Sequence, residues 1–417
     1  MMMKQHSLAF SACTKTPFLI RRRQERGFCR SEIQEFTFVN DCISEQKNEV
    51  VGVFLQKLFS LILLFSMLSS TLVQGQTFEE SRTLSRSFPV GNDTEIEISN
   101  KYGNIHLIPW EKDSVRFEIE LKVKGPKQSK VDKTFNFIEF DFHSTKYYII
   151  AKTIFEGSSF WNDVSDLTGT VFSSNTKTTI NYTVYLPADA PLKVSNKYGN
   201  IYTTNHTGKI SIELSNGDLK AHHLSGNTTI NTEFGNSNIQ RIDEGSLNIN
   251  YGEFYLEEGT HLNIESKSSE FHLEAVGNLQ VDSKRDKYFV QNLKSVRGNT
   301  YFSRFEIDKI SELFDVSTKY GDVDIKGFSD EIASFNMKTI NTDVVLHFTD
   351  DKQYNLEFIV DKETQVYYSS EIKNIKSTDL EGKEKLIRVD CTIGNNPRQI
   401  IPITIKSQAG SLSLKLK

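Results

Sequence analysis

The sequence has little cysteine and little proline, and both shortages narrow the choice of fold. Of 4 Cys in 417 residues, only Cys391 follows residue 42. A chain with one Cys in its main part has no disulfide framework, and the alternation of Cys391 with Val389 and Ile393 predicts a buried strand residue. No Pro occurs between residues 192 and 396, which is typical of uninterrupted strands, because Pro lacks the N–H of the β-ladder.

Long hydrophobic runs are also scarce, and residues 58–68 form the one long example. This run is too short for a bilayer, which needs about 20 residues. With Lys57 before it and small or polar residues up to Gly75 after it, the segment 53–75 is predicted to be a secretory signal peptide. The mature chain would then have no transmembrane span, and its location would be the periplasm, the outer-membrane surface or the medium.

The position of this segment, far from residue 1, predicts that residues 1–52 are a spurious or disordered extension and that translation starts at Val53. The alternative is a genuine extension in which the apolar run serves as a signal anchor.

Charge and motifs exclude several functions. The net charge is −5, which disfavours a nucleic-acid partner. The nine His form no set with metal-ligand spacing, and the adjacent His222 and His223 point to opposite faces of a predicted strand. Nucleophile elbows, phosphate loops and dinucleotide fingerprints are missing, so no catalytic residue, cofactor or metal is predicted.

The positive feature is an internal repeat. SNKYGNI occurs at 99–105 and at 195–201, and STKYGDV occurs at 317–323. In each unit we follow the residue two places after the Gly, or its equivalent where the Gly is missing. From one unit to the next, this position advances along the sequence by 18, 18, 17, 17, 17, 17, 18 and 21 residues. The residues at this position are Ile201, Leu219, Ser237, Phe254, Phe271, Tyr288, Phe305, Val323 and Val344.

Each unit alternates apolar and polar residues with a period of two, which predicts strands with one buried face. A unit of 17 or 18 residues is too short for a βαβ crossover and cannot bury its own face. The repeat therefore predicts an all-β fold, a right-handed parallel β-solenoid over 192–349.

The corners of the predicted coils carry an aromatic residue followed by Gly. We expect the Gly to supply positive φ, and the rings to stack from coil to coil as a structural ladder rather than a sugar platform. The ladder residues are Tyr198, Gly199, Phe234, Gly235, Tyr251, Gly252, Tyr320 and Gly321.

The remaining segments are assigned by pattern. Residues 76–191 form a β-rich N-terminal segment that includes the first KYGNI unit, residues 350–395 an irregular insertion, and residues 396–417 a terminal coil or cap. The polar loop at 157–177 carries Phe160-Trp161, which either forms a contact surface or tucks back on the sheet.

The KYGNI units, the strand YTVYLP leading into LKVSNKYGNI, and the final Gly-x-Leu-x-Leu resemble the exported bacterial β-helical domains known as the putative-adhesin family. The resemblance covers residues 88–417 and concerns repeats rather than chemistry, so it transfers no catalytic residue. The resemblance implies a binding domain of unknown function. Some members of the family belong to envelope-stress systems, which implies a second possible role.

Three functions follow as expectations. The first is a non-catalytic scaffold of the cell envelope or surface, with an envelope protein or a surface glycan as its partner. The second is a periplasmic envelope-stress component that binds another envelope protein. The third is a polysaccharide-acting enzyme that uses Asp322 and Asp324, which share one strand face about 7 Å apart. The sequence favours the first of these functions and does not predict an oligomeric state.

Overall fold

The computed structural model describes residues 57–58, 77–155, 176–382, 386–394, 396 and 400–417. The chain divides into two units, Met1–Gly75 and Gln76–Lys417, and all elements below belong to the second. Regular structure in the described residues is almost entirely β, in a mostly parallel sheet, so the predicted all-β solenoid is confirmed. Apart from Lys57 and Leu58, the predicted signal peptide lies outside the described residues, as does Phe160-Trp161.

In its described residues, 77–155 and 176–191, the N-terminal part contains seven strands and one helix. The strands are β1 (Phe78–Pro89), β2 (Glu95–Lys101), β3 (Ile105–Trp110), β4 (Ser114–Gly125), β5 (Ile138–Ser144), β6 (Tyr148–Phe155) and β7 (Lys177–Pro187). Strand β4 lies between β1 and β7, antiparallel to both, and β5 is antiparallel to β6. Helix α1 (Gln128–Asn136) adds the buried Val131 and Phe135 to the core. No helix in the described ranges has both the length and the apolar character needed to cross a membrane.

The next eleven strands form the stacked coils. They are β8 (Leu192–Lys197), β9 (Ile201–Thr203), β10 (Ile210–Ser215), β11 (Leu219–Glu233), β12 (Ser237–Asn250), β13 (Glu253–Lys267), β14 (Glu270–Lys284), β15 (Lys287–Tyr301), β16 (Arg304–Lys319), β17 (Asp322–Ile325) and β18 (Ser334–Phe348). A long strand such as β11 runs from one sharp corner to the next and bends midway, near the register shift between Leu224 and Asn227. Each coil therefore contributes to two sheets: a post-corner sheet, which includes 219–224, and a pre-corner sheet, which includes 228–233.

The inward column of the post-corner sheet has the predicted register. The nine repeat positions from Ile201 to Val344 pair in sequence along neighbouring parallel strands. Every member is at most 2% exposed, including Ser237, because this column faces the core. Ile105 pairs with Ile201, so the first KYGNI unit stacks directly on the second although 96 residues separate Asn104 from Asn200.

The C-terminal part contains β19 (Gln353–Val360), β20 (Gln365–Tyr368), β21 (Lys376–Leu380), β22 (Leu386–Ile393) and β23 (Ile400–Leu416). Strand β23 extends the coil stack in parallel with β18, pairing Leu412 with Val344. Strand β19 lies between β23 and β22, so the segment 350–395 supplies four strands to the same sheet. Cys391 is 4% exposed on β22, as its alternation predicted.

The prediction that the corner Gly supplies positive φ is wrong. The residue before it adopts the left-handed conformation, with φ of 61° at Tyr198, 56° at Phe234 and 58° at Tyr251. Gly is needed for a different reason, which is the close approach of two backbones. A Cβ on Gly199 would lie 2.0 Å from the carbonyl oxygen of Gly103, and one on Gly235 would lie 1.8 Å from that of Gly217.

Side-chain oxygens bridge the corners of the first coils. The backbone N–H of Asn200 donates to Asn104 Oδ1 at 2.9 Å, and the N–H of Asp218 donates to Asn200 Oδ1 at 2.9 Å. The series continues from Asn236 N–H to Asp218 Oδ1 at 3.0 Å, and from Glu253 N–H to Asn236 Oδ1 at 3.1 Å. These acceptors satisfy backbone donors that the tight corner turns away from the regular ladder.

Candidate functional site

The outer face of the post-corner sheet carries two adjoining grooves, and a third groove of about 610 Å³ lies on the pre-corner sheet. We call the outward side chains that follow the inward column by one residue the outer column. In stacking order its members are His106, Tyr202, Lys220, Asn238, Tyr255, His272, Phe289, Glu306 and Asp324. Parallel in-register pairing places successive members about 4.8 Å apart.

Aromatic rings occupy this column in two runs. His106 stacks on Tyr202 with ring centroids 4.6 Å apart. Tyr255, His272 and Phe289 form the second run, with centroid separations of 4.6 and 5.1 Å. Within a run the ring faces cover one another, so only the ring edges and the faces at the ends of each run are open to a ligand.

Hydrogen bonds to the residue two places earlier in the chain hold three of these rings. Asn200 Nδ2 donates to the hydroxyl of Tyr202 at 2.8 Å, and the hydroxyl of Tyr255 donates to Glu253 at 2.7 Å. His272 Nε2 lies 3.0 Å from Glu270 Oε1. Rings fixed in this way lose little conformational entropy when a ligand contacts them.

Two neighbouring grooves follow the column. The first has a volume of about 420 Å³ and is lined by residues that include His106, Tyr202, Lys220, His222 and Gln240. The second has a volume of about 450 Å³ and runs along the second aromatic run to Lys326. Asn238 and Glu257 line both grooves, so the two adjoin.

The second groove is acidic, and some of the carboxylates in it and beside it are paired. Lys326 Nζ lies 2.7 Å from Glu306 and 2.8 Å from Asp308, and its hydrogen bond to Asp308, then that to Glu306, raises its pKa. Burial works to raise the pKa of Glu270, but its contacts with Lys287 and His272 outweigh that effect, so its pKa is lowered. Glu270 and Lys287 face each other in neighbouring coils and form an ion pair at 3.2 Å.

The predicted corner residues form a second exposed row. Tyr198, Phe234, Tyr251 and Tyr320 are between 38% and 50% exposed. Tyr198 stacks on Tyr102 at 5.4 Å, Phe234 on Tyr251 at 5.0 Å, and Tyr320 on Phe302 at 5.0 Å. A left-handed backbone at an aromatic residue costs of order 1 kcal/mol, so this row combines backbone strain with solvent-exposed rings.

The glycines that follow these aromatic residues are not exposed like the rings but face the backbone of the neighbouring coil. Gly199, Gly235, Gly252 and Gly321 each face a backbone carbonyl of the preceding coil at a distance that no Cβ tolerates. They therefore set the coil spacing and offer no functional group.

The two aspartates of the enzyme hypothesis have different surroundings. Asp322 is exposed, and Asp324 lies 3.1 Å from Nε2 of His347, whose pKa is lowered by burial despite the nearby carboxylate. In the described segments, no group of three or more His, Cys, Asp or Glu residues has metal-binding geometry. His223 faces Asp243 at 3.1 Å, whereas His222 lines the first groove.

The sequence reasoning missed the outer column, although its signal was present. Tyr202, Tyr255, His272 and Phe289 stand one residue after the inward column, at the same 17- or 18-residue spacing. Reading the next outward position of the repeat would have shown the two aromatic runs and the break between them.

No family model and no curated protein matches the chain. Among solved structures, it is similar to a putative cell adhesion protein from Clostridium sporogenes, with 11% identity over 82% of this chain and 100% of that one, at a TM-score of 0.17. It is similar to a putative adhesin from Bacteroides fragilis, with 11% identity, coverages of 80% and 97%, and a TM-score of 0.21.

A putative lipid binding protein from Parabacteroides distasonis has 7% identity, coverages of 80% and 96%, and a TM-score of 0.26. The names of the first two agree with the family that the repeat motifs resemble.

Proposed function

We propose that this chain is an exported, non-catalytic binding scaffold of the bacterial cell envelope or surface. The observation that supports this best is the outer column, which presents prearranged aromatic rings and polar side chains along two adjoining grooves. Rigid side chains at a repeat distance of about 4.8 Å suit an extended polymer or a long protein surface, because many weak contacts add without further ordering of the scaffold.

Location is the first test. The tagged full chain is expressed, cells are fractionated and shaved with protease, and the recovered chain is sequenced from its amino terminus. A surface-exposed chain that starts near Gln76 supports the proposal and the predicted cleavage. A protease-protected periplasmic chain would favour the envelope-stress component, and a chain that remains in the cytoplasm would refute export.

Attachment is the second test. The purified chain is incubated with whole cells or isolated envelopes, and retention is compared for the wild type and a Tyr255→Ala, Phe289→Ala double variant. The matched control is Asn263→Ala with Gln280→Ala, which changes the outer face of the pre-corner sheet. Loss of retention in the first variant alone is expected, and equal retention in both would count against the outer column.

Phe160-Trp161 is an accessory contact in this proposal. Replacing both by Ala should weaken attachment without changing the Tm, and unchanged attachment would remove this pair from the contact surface.

A further inference from the structure

We propose that one edge of the solenoid, the corner ridge, docks on the surface of an anionic lipid bilayer. The corner ridge consists of each left-handed corner residue together with the residue before it. Its members are residues 101–102, 197–198, 215–216, 233–234, 250–251, 267–268, 284–285, 301–302 and 319–320. This inference goes beyond the proposed function, because the ridge is separate from the outer column and its partner is lipid.

The ridge is a continuous row on the convex side of the corners. Parallel pairing in register joins the first residue of each pair to the next coil, from Lys101 to Lys319. Eight steps of about 4.8 Å give the row a length of about 38 Å. None of the three grooves described above is lined by a ridge residue, so the ridge meets a partner as a convex edge. A bilayer is a partner that such an edge can contact along its whole length.

Aromatic rings stand along the ridge in stacked pairs. The pairs are Tyr102 with Tyr198, Phe234 with Tyr251, and Phe302 with Tyr320. Phe234 and Phe302 are 50% and 53% exposed, and Tyr301 beside Phe302 is exposed as well. Tyr and Phe rings on a protein surface gain by entering the boundary between headgroups and acyl chains. The exposed rings therefore suit a membrane interface better than open water.

The left-handed corner conformation makes these rings costly for the protein in water. Asn216 and Asn341 occupy corresponding corners with φ of 57° and 48°, so a residue suited to this conformation fits there. An aromatic residue at such a corner costs of order 1 kcal/mol in backbone strain. Contact between the rings and lipid would offset that cost.

Backbone hydrogen bonds hold the ridge in place before any contact. The N–H of Phe234 donates to the carbonyl of Asn250 at 3.1 Å, and the N–H of Phe302 donates to the carbonyl of Lys319 at 2.8 Å. The same bond to the following coil recurs at every corner of the ridge. A row of rings fixed in this way loses little conformational entropy when it meets a surface.

The charge of the ridge is opposite to that of the chain, whose net charge is −5. One ridge residue, Glu233, is acidic, and the basic ones are Lys101, Lys197, Lys267, Lys284, Arg285 and Lys319. Lys267 pairs with Lys284 in the adjacent strand, and like charges in this arrangement repel each other. An anionic surface would relieve that repulsion.

The lysines beside the rings suit a surface of lipid phosphates. Lys267 Nζ lies 5.5 Å from the ring centroid of Tyr251, and Lys319 Nζ lies 5.7 Å from that of Tyr301. An ammonium held next to a ring can meet a phosphate while the ring reaches the acyl boundary. Carboxylates such as Glu265 and Glu270 lie one outward position away on either sheet, so the attraction should be moderate and sensitive to salt.

The test is co-sedimentation of the purified full chain with vesicles at low and high salt. One set of vesicles contains phosphatidylethanolamine and phosphatidylglycerol, and the other contains phosphatidylcholine alone. We expect binding to the anionic vesicles that weakens at high salt, and little binding to the neutral ones. All variants carry the same residues 1–75, so a difference between them does not arise from the apolar run at 58–68.

The critical variant is Phe234→Asn with Phe302→Asn. It should keep the Tm near or above that of the wild type, because Asn suits the left-handed backbone, and should weaken binding to anionic vesicles about tenfold. The matched control is Tyr147→Asn with Tyr367→Asn, which removes two rings of 61% and 54% exposure that lie off the ridge. The control should bind as the wild type does.

Charge and depth are measured separately. Replacing Lys267 and Lys284 by Gln and Arg285 by Asn should weaken binding about tenfold or more and remove most of its salt dependence. In Phe302→Trp, lipids with brominated acyl chains should quench tryptophan emission beyond the background given by Trp110 and Trp161 in the wild type.

Several results would overturn the inference: no binding by the wild type, equal binding to neutral and anionic vesicles, undiminished binding by the ring or the charge variant, or no added quenching in Phe302→Trp. Tighter binding to dextran sulfate than to vesicles would also overturn it, since the partner would then be a polyanionic polymer. Failure of the broader proposal looks different. If the wild type binds vesicles through the ridge but is never exported, only the scaffold proposal is wrong.

Discussion

The substitution Gly235→Ala tests whether backbone contact at the corners, rather than backbone flexibility, is what the repeated Gly provides. Its φ is outside the left-handed region, so Ala would be acceptable if conformation alone mattered. The added Cβ would instead lie 1.8 Å from the carbonyl oxygen of Gly217 and 2.8 Å from its carbonyl carbon. Two neighbouring coils would have to separate by more than about 1 Å, since carbon and oxygen atoms do not approach within about 3 Å.

Separation at this corner breaks hydrogen bonds between the coils. The N–H of Asn236 donates to Asp218 Oδ1 at 3.0 Å, and the N–H of Leu219 donates to the carbonyl of Asn236 at 2.9 Å. The N–H of Asn216 also donates to the carbonyl of Glu233 at 2.9 Å. At about 1 kcal/mol each, their loss and the loss of packing predict that the free energy of unfolding falls by about 3 kcal/mol or more.

Ser269 provides the matched control because it occupies the corresponding corner two coils further on. Its Cβ is already accommodated, and the following N–H, of Glu270, donates to the carbonyl of Gly252 at 3.0 Å. Ser269→Ala loses only the hydroxyl, which donates to the carbonyls of Ile249 at 3.0 Å and Lys267 at 3.1 Å. We expect a loss of about 1 kcal/mol.

Urea unfolding followed by circular dichroism measures both changes, and amide hydrogen exchange locates them, because stacked coils can open locally. Exchange should accelerate around residues 216–236 in Gly235→Ala and stay near that of the wild type in Ser269→Ala. A Gly235→Ala variant within about 1 kcal/mol of the wild type would refute the argument, since the clash would then be relieved at little cost.

Three further predictions concern single side chains of the coils. Asn236→Leu removes the acceptor of the Glu253 N–H and should lower the free energy of unfolding by about 1–2 kcal/mol in urea titration, whereas no change would show that water replaces the side chain. Burial lowers the pKa of His206, which is 2% exposed, so the unfolded chain binds the proton better than the folded chain does. The free energy of unfolding should therefore fall as the pH drops below about 6.5. Between pH 7 and pH 5, that free energy should depend less on pH in His206→Leu than in the wild type or in a variant of the exposed His261. Burial raises the pKa of Asp286, so the folded chain holds this proton more tightly than the unfolded chain does. The free energy of unfolding should therefore decline as the pH rises from about 4 through the folded pKa. Asp286→Ser should make that decline smaller, and an unchanged dependence of stability on pH would exclude Asp286 as its source.

Much of the fold is readable from the sequence because a solenoid repeats one local environment. The step of 17 or 18 residues placed Ile201 through Val344 in one inward column, and the structure pairs them in that register. A period-two pattern that repeats in every coil leaves only one register in which all apolar residues face the core. The buried position of Cys391 followed from the same alternation.

The corner chemistry was harder to read, because Gly has two uses that look alike in a sequence. A Gly after Tyr198 suggests positive φ, yet Tyr198 itself takes that conformation and Gly199 admits the carbonyl of Gly103. Which use applies depends on how closely the preceding coil approaches, and that distance is set by stacking across 96 residues of chain. The acceptor role of Asn200 and Asp218 depends on the same approach.

By itself, the sequence determined the class of fold, the coil length and the residues that face the core, because each of these follows from local alternation and period. Only the tertiary structure decided which outward residues become neighbours in the grooves. His106 stacks on Tyr202 because β3 and β9 pair in parallel, although β4 to β8 lie between them in the chain. Lys220 and Asn238 become neighbours in the same column because β11 and β12 pair in register. A binding surface built one residue per coil exists only after stacking, since no single repeat contains it.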